Sequence, residues 1–138
     1  MASGKYAARQ REEVLKLVAP QLRPREQVVG ILPFAQTPKR PKPPKKVRDG
    51  VYQSYRRYRP LVVTDRRLFV LDTARTPHPR SVLAEFPLEA VELVDVVARS
   101  LGQQRVVLDL PGLGQVPFDV GRYDLDGLES LRDSVDRT

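Results

Sequence analysis

The chain has 138 residues and a mass of 15.7 kDa, with 41% hydrophobic and 30% charged residues and neither Cys nor Trp. A globule of this length buries about 68–70% of its unfolded surface, which supports one real core and leaves no room for a second full domain. The missing cysteines exclude a disulfide scaffold, thiolate metal sites and cysteine nucleophiles. Apolar stretches such as residues 61–63 and 96–98 fall far short of the roughly 18 residues that a membrane span needs. Residues 1–6 lack a signal core, so a cytoplasmic protein is expected.

The net charge of +7 is concentrated in one place. Residues 36–59 hold nine bases (Lys39, Arg40, Lys42, Lys45, Lys46, Arg48, Arg56, Arg57 and Arg59) and one acid, Asp49, for a net +8; the rest of the chain, with 15 bases and 16 acids, carries −1. Confining all excess charge to one strip costs self-repulsion that a mere solubility role would spread out, so the strip reads as a docking surface for something anionic.

In chain order, Ala8, Leu15, Val18 and Leu22 recur near helical spacing and predict an amphipathic helix over residues 5–19, stopped by Pro20 and Pro24. Residues 1–23 are accordingly set apart as helix and linker, and 24–138 as the folded domain. Val28, Val29, Ile31 and Leu32 suit a strand that ends at Pro33 or Phe34. Residues 36–46 contain four prolines and five bases, which predicts a semi-extended loop with no paired strand. The whole Pro-rich basic loop is placed at 36–50, closed by Asp49-Gly50.

Residues 51–58 resume with β-formers. Residues 61–64 and 68–71 form a hairpin across Asp65-Arg66-Arg67, with Asp65 shaping the turn. Residues 73–80, containing Pro77 and Pro79, are a loop, and residues 81–86 a short strand. Residues 88–98 are ambiguous, their acids spaced as on a helix while their valines favour strand. Val106, Leu108 and Leu110 alternate with Val107 and Asp109, and Val116, Phe118 and Val120 with Gln115, Pro117 and Asp119, which predicts a hairpin turning at residues 111–114. Leu125, Leu128, Leu131 and Val135 form the apolar stripe of a terminal helix, which Asp126 is placed to cap with Glu129 three residues on. A helix, about seven strands in hairpin succession and a last helix favour an antiparallel barrel or sandwich over a parallel sheet.

The phrase Leu-Val-Val-Thr-Asp-Arg-Arg-Leu-Phe-Val-Leu at residues 61–71, followed by Glu85-Phe86-Pro87-Leu88-Glu89 and a valine-rich run at 91–97, resembles the signature of bacterial pleckstrin-homology-like and GRAM-like domains. Glu26-Gln27-Val28-Val29 after a helix, and a terminal helix after a Phe-bearing strand, fit the same pattern over residues 24–135. The resemblance implies a mainly β, α+β fold. Its two near-orthogonal antiparallel sheets form a partly open barrel capped by the C-terminal helix, and residues 88–97 become a strand. It also implies a non-enzymatic adaptor that binds lipids, phosphoinositides or peptides. In such domains anionic headgroups commonly meet bases of the first inter-strand loop and of the strand after it. Those positions here are Lys45, Lys46 and Arg48, then Arg56 and Arg57.

The expected function is therefore a binding module that docks its basic loop and strand on an anionic membrane surface or an acidic protein partner, with peripheral attachment at the inner membrane face. At about 1 kcal/mol per base near an anionic bilayer, the strip supplies reversible, salt-sensitive attachment. Tyr52, Tyr55 and Tyr58 interleave with Arg56, Arg57 and Arg59 and could stack bases, which keeps a nucleic-acid- or ribosome-associated protein as the alternative. In a strand, however, Tyr52 and Tyr58 share one face and Tyr55 takes the other. A third reading is a structural adaptor with a peptide groove between the terminal helix and the barrel.

Pro41-Lys42-Pro43-Pro44-Lys45-Lys46 matches a PxxP ligand but reads better as a stiff spacer. His78 lies between two prolines with no carboxylate near in sequence, and Gly112-Leu113-Gly114 joins two strands and opens no helix. The acids at 124, 126 and 129 are explained by a helix start. The sequence shows no nucleophile–base pair and no ligand cluster, so neither enzyme, cofactor nor metal is expected; the oligomeric state is left open.

Overall fold

A computed structural model of the chain describes residues 2–38, 57–74 and 76–137. Helix α1 (Ala2–Val18) runs on through a 3-10 turn (Ala19–Gln21) that contains Pro20. Its buried stripe is Ala7, Gln10, Val14 and Val18, whereas Ala8 and Leu15, which the sequence assigned to that stripe, face outward. A polar residue in the inward stripe disguised the face. The Gln10 amide reaches down to donate to the carbonyls of Pro33 and Pro77, and so satisfies itself while buried.

Two antiparallel sheets follow. The first has four strands in the order β1 (Val28–Leu32), β4 (Leu61–Thr64), β5 (Arg67–Thr73) and β6 (Pro79–Pro87). The second has the order β3 (Arg57–Tyr58), β2 (Gln36–Thr37), β9 (Gly114–Val120), β8 (Gln104–Leu110) and β7 (Glu92–Ala98). The strand count reaches nine where about seven were expected because Gln36–Thr37 forms a short strand inside the expected loop and the ambiguous stretch supplies β7. Residues 33–35 separate β1 from β2 and carry the chain from the first sheet to the second; Arg59 and Pro60 separate β3 from β4 and bring it back. Gln36 and Thr37, expected in the unpaired loop, in fact pair with Tyr58 and Arg57, and Gln36 also pairs with Asp119 of β9. The prolines begin only at Pro38, so both residues keep the N–H that pairing needs.

The first sheet is covered on both faces. Leu61, Val63, Leu68 and Val70 point into the main core, while Val62, Phe69 and Leu71 point the other way, against Val14 and Val18 of α1. This two-sided burial explains why β4 and β5 read as unbroken apolar runs. The second sheet alternates in the ordinary way, with Val106, Leu108, Leu110 and Phe118 inward. β5 runs on to Thr73 and β6 starts at Pro79, which pairs with it, so the expected loop over 73–80 is shorter by its first residue and its last two. The ambiguous stretch resolves into a 3-10 turn (Leu88–Ala90) and then strand β7.

Helix α2 (Leu125–Arg137) places Leu128 and Leu131 in the main core with residues of both sheets. It lies very close to β1: a Cβ on Gly127 would sit 2.2 Å from the Ile31 carbonyl oxygen, and only glycine permits that approach. The residue that starts this helix is Asp124, where the sequence favoured Asp126. A 3-10 turn (Arg122–Asp124) precedes the helix and moves its start upstream, leaving Asp126 exposed in the first α-helical turn. The buried Asp124 carboxylate accepts from Gly121 N at 2.9 Å and from Phe34 N at 2.8 Å, which ties the start of α2 to the bend after β1. No helix of the described residues is long and apolar enough to cross a membrane.

Candidate anion-docking edge

Of the basic residues singled out by sequence, Lys39, Arg40, Lys42, Lys45, Lys46, Arg48 and Arg56 lie outside the described residues, as do Tyr52 and Tyr55. Arg57, Tyr58 and Arg59 lie within them. Arg57 is exposed on β3, and its backbone carbonyl accepts from the Thr37 hydroxyl at 3.3 Å. β3 forms the edge of the second sheet, where Arg57 and Tyr58 pair antiparallel with Thr37 and Gln36. Tyr58 is half-buried, and its carbonyl accepts from the Thr73 hydroxyl at 2.8 Å. Arg59 is committed inward: its Nη1 meets Asp72 at 2.9 Å and also donates to the Tyr58 carbonyl at 3.2 Å. The structure therefore separates the three. Arg57 presents a charge to solvent, while Arg59 fastens the edge strand to β5.

At the other end of β5 from Asp72 and Thr73 lies a polar centre that the sequence reading missed. Glu26 is completely buried and meets Arg67 through both oxygens: Nε donates to Oε2 at 3.0 Å and Nη2 to Oε1 at 2.5 Å. Arg67 Nη1 reaches Glu85 at 2.9 Å, Nη2 also donates to the Gln21 carbonyl at 2.9 Å, and the guanidinium lies 4.6 Å from the Phe69 ring centre. Glu26 further accepts from the Thr64 hydroxyl at 2.6 Å and from Arg23 N at 2.9 Å. These partners, led by the hydrogen bonds from Arg67 and working against desolvation, hold the Glu26 carboxyl at about 2, well below its ordinary value. The Arg67 guanidinium is pushed up, first by its bonds to Glu26.

The same centre corrects the reading of the turn at residues 64–67. Thr64 shapes it, its hydroxyl accepting from Arg67 N at 2.8 Å and Arg66 N at 3.1 Å. Asp65 instead exchanges bonds with the segment before β1: its carboxylate accepts from Gln27 N at 3.0 Å and its own N–H donates to the Gln27 carbonyl at 3.0 Å. A signal for this centre was present in the sequence. Counting by two along β5 puts Arg67 on the face of Phe69 and Leu71, which is buried, and a buried cation requires a carboxylate. With its charges saturated by one another, the centre locks three segments together.

A cleft opens where the β7–β8 turn meets the start of α2, bordered by Phe34, Gln36, Leu101, Arg122 and Tyr123. The Gln36 side-chain oxygen is buried there without a hydrogen-bond partner. The two acids at its wall are internal: Asp119 pairs with Arg105 at 2.8 Å, and burial raises the carboxyl of Asp124 despite the N–H groups it accepts. His78 is exposed in the β5–β6 connection, its backbone carbonyl accepting from Ala74 N. Among the described residues, no group of three His, Cys, Asp or Glu is placed to hold a metal ion. No family model matches the chain, and no curated protein matches it.

Proposed function

We propose that this chain is a non-enzymatic module of pleckstrin-homology-like or GRAM-like architecture that docks its basic segment on an anionic membrane surface. The architecture is supported by the order of the strands. A four-stranded antiparallel sheet and a three-stranded meander (β7 to β9) are linked by strands that pass from one sheet to the other, and α2 packs its leucines between them. The docking reading is carried by one observation, the +8 charge confined to residues 36–59 of a chain that is otherwise −1. Arg57, exposed on an edge strand, continues that charge onto the folded surface.

Attraction of this kind needs no pocket. Each base within a Debye length of an anionic bilayer contributes about 1 kcal/mol, so six bases from Lys39 to Arg48 give several kcal/mol that salt weakens. The test is flotation with phosphatidylcholine vesicles with and without phosphatidylserine, at low and physiological salt. Wild type should float only with the anionic vesicles, and Lys45→Glu, Lys46→Glu and Arg48→Glu together should abolish flotation with the thermal midpoint nearly unchanged. Flotation unaltered by that reversal sinks the proposal. Single-stranded RNA runs beside the vesicles, and RNA binding that persists at physiological salt without vesicle binding replaces it with the nucleic-acid reading.

A further inference from the structure

The direction of the strands decides which end of the second sheet the basic segment meets. β2 pairs antiparallel with β9, Gln36 opposite Asp119, and with β3, Thr37 opposite Arg57. Because β9 runs from Gly114 to Val120, β2 runs toward the β8–β9 turn and β3 runs away from it. Lys39 follows Thr37 by two residues and Arg56 adjoins Arg57, so the chain itself ties the bases at both limits of the segment to that end of the sheet. The β7–β8 turn lies at the other end.

The β8–β9 turn presents an apolar tip. Leu113 N donates to the Leu110 carbonyl at 3.0 Å across Pro111 and a left-handed Gly112 at φ 81°, the pattern of a type II turn. Proline, glycine and a backbone bond meet the needs of such a turn, and none of them calls for an apolar side chain at Leu113. That side chain is nevertheless 63% exposed, beside exposed Pro111. A single exposed leucine is ordinary on a protein surface; what sets this one apart is its place at the end of the sheet to which the bases are tied. A bilayer held by those bases faces this end, and its lipid–water boundary accepts apolar groups among the headgroups.

Charge on the sheet limits how far the tip can enter. In the strand order β3-β2-β9-β8-β7, exposed Arg57 stands on one edge strand and exposed Glu92 and Asp95 on the other, with Asp109 of β8 opposite Glu92. Asp109 also pairs with Gln115, one residue pair back from the Leu110–Gly114 pair that begins the turn. An anionic surface attracts the β3 edge and repels these acids, so the sheet leans on its β3 side and only the turn goes in.

We propose that the β8–β9 turn inserts Leu113 shallowly into the anionic bilayer to which the basic segment is attracted. This rests on the membrane reading above and adds an apolar, salt-resistant component to it. Leu101 provides an internal control, being 97% exposed but in the β7–β8 turn at the far end of β8.

The test uses the full chain with phosphatidylcholine vesicles with and without phosphatidylserine. Leu113→Ser removes the apolar tip from a solvent-exposed turn, so it should weaken binding to the anionic vesicles about tenfold at physiological salt, with the thermal midpoint nearly unchanged. Leu101→Ser should bind as wild type does. Since the chain has no Trp, Leu113→Trp and Leu101→Trp each supply a single reporter. Emission of Leu113→Trp should shift to the blue on anionic vesicles and be quenched more by acyl chains brominated near the headgroup than by chains brominated near the methyl end, while that of Leu101→Trp stays unshifted. Wild-type flotation that Leu113→Ser leaves unchanged, with Leu113→Trp emission unshifted, overturns the insertion and leaves electrostatic docking standing. A wild type that does not float overturns both.

Discussion

Glu26→Gln tests the polar centre most directly. Glutamine preserves the shape of the side chain but faces the Arg67 guanidinium with a neutral amide that brings donors of its own, leaving a cation that is 8% exposed with only Glu85 as counterion. Breaking a buried pair by removing one partner costs roughly 3–5 kcal/mol. The depressed carboxyl gives a second route to the figure. A shift from 4.5 to about 2 corresponds to about 3 kcal/mol of stability at neutral pH, and the Glu26 side chain is 0% exposed, so little of this is lost to solvent screening. Since Arg67 keeps Glu85, the lower end of the mutational range applies, about 3 kcal/mol, or a drop of about 10 °C in Tm for a chain of this length.

The pH dependence carries a definite sign. The folded-state value lies below the unfolded one, so the stabilisation is complete above about pH 4.5 and is lost as pH falls toward 2. Urea unfolding of wild type and Glu26→Gln from pH 7 downward should show a gap that is constant at neutral pH and closes below about pH 4.5. A gap under about 1 kcal/mol at pH 7, or one that does not shrink on acidification, refutes the assignment of Glu26 as the ionised partner of Arg67.

Two further substitutions probe the packing of the two helices on the first sheet. Gly127→Ala raises helix propensity by about 1 kcal/mol yet drives a Cβ into the Ile31 backbone, so urea unfolding should show a net loss of about 2 kcal/mol or more, and a gain in stability refutes the close approach of α2 to β1. Val14→Ala, on the α1 face that covers Val62, Phe69 and Leu71, should cost about 1–2 kcal/mol with circular dichroism unchanged, whereas an unchanged midpoint means that the helix does not seal the sheet.

What the sequence disclosed divides along physical lines. Hairpins announced by alternation and turn residues, such as β8 and β9, were legible because each needs only local information. The terminal helix was legible from Leu128 and Leu131, but its start was not, because the 3-10 turn that uses Asp124 depends on the distant N–H of Phe34. The stripe of α1 was misassigned for a similar reason. Gln10 is an inward residue only because the carbonyls of Pro33 and Pro77 wait for it 23 and 67 residues away. Glu26 and Arg67, 41 residues apart, likewise show their partnership only once β1 and β4 are paired. Of the candidate site, the concentration of charge was legible from counting alone, whereas the inward commitment of Arg59 required Asp72 to be brought beside it.

The basic strip stands out against these long-range polar contacts. In the described body Arg67 is met at close range by Glu26 and Glu85 and Arg105 by Asp119, while Arg59 at the end of the strip is met by Asp72. The strip itself holds one acid, Asp49. A chain selected only for solubility would have no reason to keep 15 bases and 16 acids in near balance over the rest of its length and leave nine bases together on 24 consecutive residues. Near balance elsewhere and excess in one segment is the distribution expected of the proposed docking on a surface that carries the opposite charge.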